Sequence, residues 1–170
     1  QWSHFHPEFA FLPRKFKIAI TGSEQDRAAI QVHDIGLQLV RSDAGEIGFK
    51  VYVGGGLGRT PVIASLIREF LPQEQILPYL EAILRIYNQL GRRDNKFRAR
   101  IKILVRALGP DVFAQKVEEE FEYMKDGSNI LTEEEIERAK SFFTEPPYET
   151  LDDASAQAQV DAQAADNRAF

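Results

Sequence analysis

Apolar positions change their period part-way along the 170 residues. In the first sixty they tend to alternate with polar ones, the spacing of strands with one buried face. Residues 15–21 (KFKIAIT) predict a strand, and 22–27 read as a polar loop. Residues 29–41 contain a second strand, clearest over 35–40, and Ile47–Val53 (IGFKVYV) is a third, rich in β-branched and aromatic side chains. The SDAG run at 42–45 between them is a hairpin turn signal. Beyond residue 60 the spacing moves to three and four. Residues 63–70, after Pro61, read as an amphipathic helical stretch. Ile76, Leu80, Ile83, Tyr87 and Leu90 predict a core-facing helix over 73–90, with Pro78 in its first turn and Gly91 as its stop. Further helices are expected over 96–108, closed by Gly109-Pro110, and over 111–123. Thr132 with Glu135 forms a capping box that starts another, over 133–143.

Strands first and helices after give an α/β (α+β) class, a mixed or antiparallel sheet followed by several helices. Residues 14–144 are expected to form this domain. Residues 1–13, with Trp2, Phe5, Phe9 and Phe11, read as an extended leading segment that packs on something. Residues 145–170, rich in Pro, Ala, Gln and Asp, show no steady apolar period and read as a linker. No internal repeat is visible.

Composition removes several functions. No apolar run approaches the roughly 20 residues of a membrane span, and no signal-peptide pattern is present. With 44% hydrophobic and 28% charged residues the chain has an ordinary globular balance. It has no cysteine, which excludes disulfides, thiolate catalysis and Cys-ligated metal within these residues and suits a cytoplasmic protein. Because residue 1 is Gln, the chain is expected to be processed or part of something longer.

Charge is split. Residues 1–110 hold 16 Lys and Arg against 10 Asp and Glu, whereas 111–170 hold 5 against 16. A basic half that meets anions and a solvated acidic tail follow. Two clusters stand out. Arg14, Lys15 and Lys17 sit at the head of the first expected strand, which would turn the two lysines to one face and Arg14 to the other. Two ammonium groups about 4 Å apart repel by roughly 4 kcal/mol at an effective dielectric near 20, and an anion between them relieves this. An edge strand protected by lysine fits the spacing as well. The second cluster is the run from Arg85 to Arg106, with eight cations and one acid, Asp94. It reads as a solvated face, a set of counter-ions for a polycarboxylate, or a nucleic-acid helix, although Phe97 is the one aromatic interleaved between Arg92 and Arg106.

GGGLGRT at 54–60 lies between a strand and an expected helix, where phosphate loops live. Neither nucleotide spacing is met, because Arg59 and Val53 stand where glycines are needed. What remains is a backbone bare of Cβ atoms at Gly54, Gly55 and Gly56, open to a flat ligand or to another backbone. His4 and His6 lack enough partners for a metal site and read as loop histidines, so no metal ligands are assigned.

Four segments in order, LPRKFKIAI (12–20), HDIGL (33–37), GFKVYVGGGLGRT (48–60) and YLEAILRIYNQLGRRDNKFRARIK (79–102), resemble the siroheme-containing sulfite and nitrite reductases. The resemblance covers roughly residues 9–125. It implies the siroheme-binding domain of that fold, with siroheme and a 4Fe-4S cluster as cofactors and a small oxyanion reduced by six electrons. Lys15 and Lys17 would line the anion pocket as catalytic cations, Arg14 would pair with siroheme carboxylates, and Gly54, Gly55 and Gly56 would lie close to the macrocycle. PRKFK favours sulfite over nitrite, because nitrite-reducing members tend to carry Asn at position 17. The electron donor would be a flavoprotein or ferredoxin, with neither nucleic acid nor membrane as partner. The family's cluster cysteines, C-x5-C and C-x3-C, have no counterpart here, nor have its two ferredoxin-like halves. The chain is therefore expected to be an internal part of a sulfite reductase, inactive alone. Nitrite reduction, or a basic nucleic-acid module, is the alternative.

Overall fold

The computed structural model describes residues 2–148, 150 and 152–167. The chain divides into two units, Gln1–Glu133 and Glu134–Phe170.

The first unit opens with a short helix, α1 (Trp2–Phe5), and a 3-10 turn, Pro7–Phe11. Four strands follow in sequence order, β1 (Ile18–Thr21), β2 (Ile35–Arg41), β3 (Ile47–Val53) and β4 (Ser65–Pro72). β1 lies parallel to β2, with Ile18 opposite Ile35, and the remaining pairs are antiparallel. Three helices close the unit, α2 (Ile76–Leu90), α3 (Ile101–Leu108) and α4 (Pro110–Met124). The expected class, a mixed sheet followed by helices, holds.

Burial follows the two periods. Ile35, Leu37, Val51, Val53 and Leu71 turn one sheet face into the core, where they meet Leu80, Ile83, Leu84 and Tyr87 of α2. Phe113, Val117 and Phe121 of α4, spaced by four, close the layer behind α2. Glu118 ties these elements, accepting a hydrogen bond from the buried Tyr79 hydroxyl at 2.7 Å and pairing with Arg68 of β4.

Four expectations change. The stretch 63–70 is mainly strand, not helix: β4 carries bulges opposite Phe49, Val51 and Tyr52 that throw its alternation out of phase. β1 starts at Ile18 rather than residue 15, because the Lys17 N–H goes to the Asp34 carboxylate and not to a strand carbonyl. The helix expected over 96–108 is broken. Asn95 caps a 3-10 turn over Lys96–Arg98 by accepting from the Phe97 N–H at 2.9 Å, and Arg100 is extended (φ −72°, ψ 150°) before α3 begins. The leading segment is helical rather than extended, and Trp2, Phe9 and Leu12 pack against this chain's own core.

In the second unit α5 (Glu133–Lys140) is followed by α6 (Asp153–Asn167). The expected linker thus carries a helix. Asp152 starts it, accepting from the Ser155 N–H at 3.0 Å and the Ser155 hydroxyl at 2.7 Å, and Ala and Gln sustain it through propensity, with Gln157 donating to Asp161 at 2.9 Å one turn on. Among the described residues no helix is long and apolar enough to cross a membrane.

Candidate functional site

Lys15 and Lys17 come together. With Val32, His33, Asp34, Leu57 and Arg100 they line an open cleft of about 170 Å³. Both lysines are exposed. Arg14 faces another recess, with Phe9, Leu12, Lys15 and Phe16, and its guanidinium donates to the Lys96 carbonyl. The residues at 14–17 precede the strand ladder, and Lys15 lines both recesses, so only Lys17 and Arg14 are parted.

The floor of the cleft is built by Asp34, at the start of the parallel register between β1 and β2. Asp34 is 1% exposed. Its Oδ2 accepts the Lys17 N–H at 3.0 Å, and its Oδ1 accepts Nη2 and Nε of Arg100 at 2.7 and 3.1 Å. Arg100 reaches this point because the helix is broken in front of α3. A guanidinium fork suits such a buried carboxylate better than an ammonium, since it satisfies the acceptor with two donors in fixed geometry.

The glycine turn sits behind the cleft, and all three of its glycines are buried. Gly54 has φ +93° and donates its N–H to the Asp34 carbonyl at 2.9 Å. A Cβ on Gly55 would stand 2.3 Å from the Gln31 carbonyl oxygen and 2.5 Å from that of His33. A Cβ on Gly56 would stand 2.9 Å from Arg100 Nη2. Gly56 also exchanges both backbone hydrogen bonds with Val62 at 2.9 Å. The glycines are thus required by this chain's own packing, and the Gly54 and Gly56 N–H groups are already used. A second recess, of about 330 Å³, has one of them, Gly54, in its lining, with Lys102, Val105 and Arg106.

Lys102 completes the loop. Its ammonium donates to the carbonyls of Thr60, at 2.6 Å, and Leu57, at 3.4 Å. Burial, then the Arg100 charge, hold its pKa below the ordinary lysine value, with Asp34 opposing them.

The long basic run does not form one cationic face. Arg85 pairs with Glu8, Glu81 and Glu120, Arg92 with Asp94, and Arg100 with Asp34. Arg93 donates to the Phe11 and Asn88 carbonyls at 2.8 Å. A continuous nucleic-acid helix is therefore not what this run builds. His6 bonds to Glu81 at 3.1 Å through Nε2 and accepts the Glu8 N–H at Nδ1, while the side chain of His4 lies outside the described residues.

Comparison with known proteins now decides the family. The model of the nitrite and sulphite reductase 4Fe-4S domain matches residues 1–125. The chain belongs to that family. Within it, the chain is 39% identical over 118 residues to a ferredoxin sulfite reductase of Synechococcus elongatus, covering 65% of this chain and 19% of that one. It is 35% identical over 130 residues to an assimilatory ferredoxin-dependent nitrite reductase of Haloferax mediterranei, covering 72% and 22%. The solved structure of the Mycobacterium tuberculosis NirA protein superposes with a TM-score of 0.63 at 31% identity, covering 69% and 21%. The chain thus spans about a fifth of the length of these nitrite and sulphite reductase relatives.

The sequence offers Arg100 and Lys102 only as members of the basic run, and Asp34 not at all. An acid at the head of an apolar strand is one available signal, since a buried carboxylate needs a partner. The break at Arg100 has none, because the 3-4 spacing runs through it.

Proposed function

We propose that this chain is the anion-facing part of the siroheme-binding domain of a sulfite reductase, which reduces sulfite to sulfide by six electrons. The observation that carries this reading is the cleft in which Lys15, Lys17 and the Asp34-held Arg100 converge. Sulfite is a dianion at alkaline pH and an anion throughout, and it has to approach a polycarboxylate ring. Cations fixed beforehand offset that repulsion without reorganising during reaction. On this reading Lys15 and Lys17 are the catalytic cations. Each hydrogen-bonds a substrate oxygen and can give it a proton as the S–O bond weakens. Arg14, on the other side of the backbone, pairs with a carboxylate of the siroheme, and Gly54, Gly55 and Gly56 hold the wall against which the cofactor sits.

Siroheme, when bound, supplies the iron and the electron path for the reduction. The cationic residues fit such a group. They do not fit a 4Fe-4S cluster, because the chain has no cysteine to ligate one. The cluster ligands therefore belong to sequence outside this chain. Electrons would come from a ferredoxin, the donor in the names of the two relatives above, or from a flavoprotein, and the enzyme would work in the cytoplasm.

Lys17 sets the substrate. A second cation favours a dianion over singly charged nitrite, and nitrite reduction of the same kind is the alternative reading. In the complete reductase, Lys17→Asn is expected to move the ratio of kcat/KM values from sulfite toward nitrite by about tenfold, the scale of one charge-assisted hydrogen bond. An unchanged ratio rejects Lys17 as the selector.

A further inference from the structure

The acid at the bottom of the cleft is at odds with its surroundings. A buried carboxylate beside an anion site repels the anion. Asp34 nevertheless uses every acceptor it has, and each reaches a different segment. Its carboxylate binds the Lys17 N–H and the Arg100 guanidinium, and its backbone carbonyl binds the Gly54 N–H. The segment that carries the lysines into β1, the glycine turn and the residue preceding α3 therefore meet on one residue. Arg100 has further donors. Nη1 lies 3.5 Å from the Leu57 carbonyl, the limit of a hydrogen bond, and Arg100 lines the cleft.

We propose that Asp34 is a positioning residue of the anion cleft and that Arg100, which it holds, is the third cation offered to the substrate. The proposal rests on the anion-binding reading above. By fixing the Lys17 main chain, Asp34 sets the direction in which the Lys17 side chain leaves. By taking Nε and Nη2, it leaves Nη1, at the limit of a hydrogen bond to the Leu57 carbonyl, as the donor for a ligand. Its negative charge neutralises Arg100 at long range, so the gain is in geometry and not in net field.

That distinction gives a test with opposite signs. Were Asp34 only a nearby charge, removing it would tighten anion binding. A positioning role predicts weaker binding although the protein gains positive charge. The complete reductase, with its tetrapyrrole in place, is titrated with sulfite, and the dissociation constant is read from the absorbance change per bound tetrapyrrole. Asp34→Asn is expected to weaken sulfite binding about tenfold, with native circular dichroism. Equal or tighter binding overturns the proposal. If that variant does not fold, Arg100→Lys serves instead. It keeps both charges but loses the fork, and is expected to weaken binding about fivefold, with unchanged affinity overturning the proposal. Asp34→Glu, which restores the carboxylate, is expected to recover part of the affinity lost in Asp34→Asn, and no recovery counts against positioning. Lys17→Ala separates the two levels. Weaker binding there with no change at Asp34 or Arg100 rejects positioning alone, whereas no change at Lys17 rejects the anion cleft itself.

Discussion

Gly55 and Gln31 are in contact through backbone alone: a Cβ on the glycine would lie 2.3 Å from the Gln31 carbonyl oxygen. Backbone cannot step aside as a flexible side chain can. Gly55→Ala is expected to destabilise the first unit by about 3 kcal/mol, the upper range for overpacking, read as a fall in the urea midpoint. Gly58→Ala is the contrast. Gly58 has φ +116° but nothing within 4 Å of a Cβ, so strain of about 1 kcal/mol is all that is expected there.

The buried phenols make stability fall in alkali. Burial raises the Tyr87 pKa to about 12, with the Asp34 charge adding to it, and burial together with Glu118 raises that of Tyr79 further. Above pH 10 the unfolded chain releases these protons while the folded chain keeps them. The folded state then binds more protons, and stability declines as pH rises from 10 toward 12. Lys102 has the opposite sign. Its pKa is lowered by folding, so its protonated form opposes folding at neutral pH, and this opposition fades as pH rises toward 10.5. Two phenols outweigh one lysine. Between pH 9 and 11 each is expected to remove about 1 kcal/mol. Tyr87→Phe should shrink the decline measured by urea unfolding at the two pH values, and an equal decline in that variant rejects the assignment.

Glu81 secures the leading segment. It is 3% exposed and faces His6, Arg85 and Asn129. Removing its charge leaves Arg85, one turn on in α2, with Glu8 and Glu120 as its charged partners. Glu81→Gln is expected to destabilise by about 3 kcal/mol and to open residues 6–12 to proteolysis. A digestion pattern identical to the parent would show that the aromatic contacts of Trp2 and Phe9 hold the segment without it.

Lys15 and Lys17 differ in what holds them. The Lys17 main chain is anchored on the buried Asp34 carboxylate, whereas the Lys15 side chain stands exposed at the cleft edge. In the complete reductase Lys17→Ala is expected to raise the KM for sulfite about tenfold and to flatten its dependence on ionic strength. The chain purified alone is expected to show no sulfite reduction with reduced viologen, because it cannot ligate a cluster. Turnover by the isolated chain would reject that dependence.

Much of this was readable in advance, and the gaps have causes. β2, β3 and α2 announce themselves through an unbroken period, and PRKFK declares its cations. β4 hides because its bulges shift alternation into a spacing close to that of a helix. α6 hides because it has no apolar face, although Asp152 with Ser155 marks its start. The glycine triplet is visible, but its reason is not: Gly55 answers to carbonyls more than twenty residues upstream, which no local pattern encodes. Arg100 is likewise found only by the tertiary contact that pulls it out of a helix.

The ties that shape the cleft span long stretches of chain. Asp34 and Arg100 are 66 residues apart, and outside the cleft the bonds from Arg14 to Lys96 and from Arg93 to Phe11 each bridge 82. The β2–β3–β4 meander, by contrast, closes through neighbours. Loop entropy orders these events: the meander can form early, and the cleft ties close late, after most of the core is in place. Substitutions at Asp34 or Arg100 are then expected to speed unfolding while leaving the folding rate nearly unchanged, a split visible in the two arms of a chevron plot. The anion cleft would thus be the last part of the domain to assemble and the first to come apart.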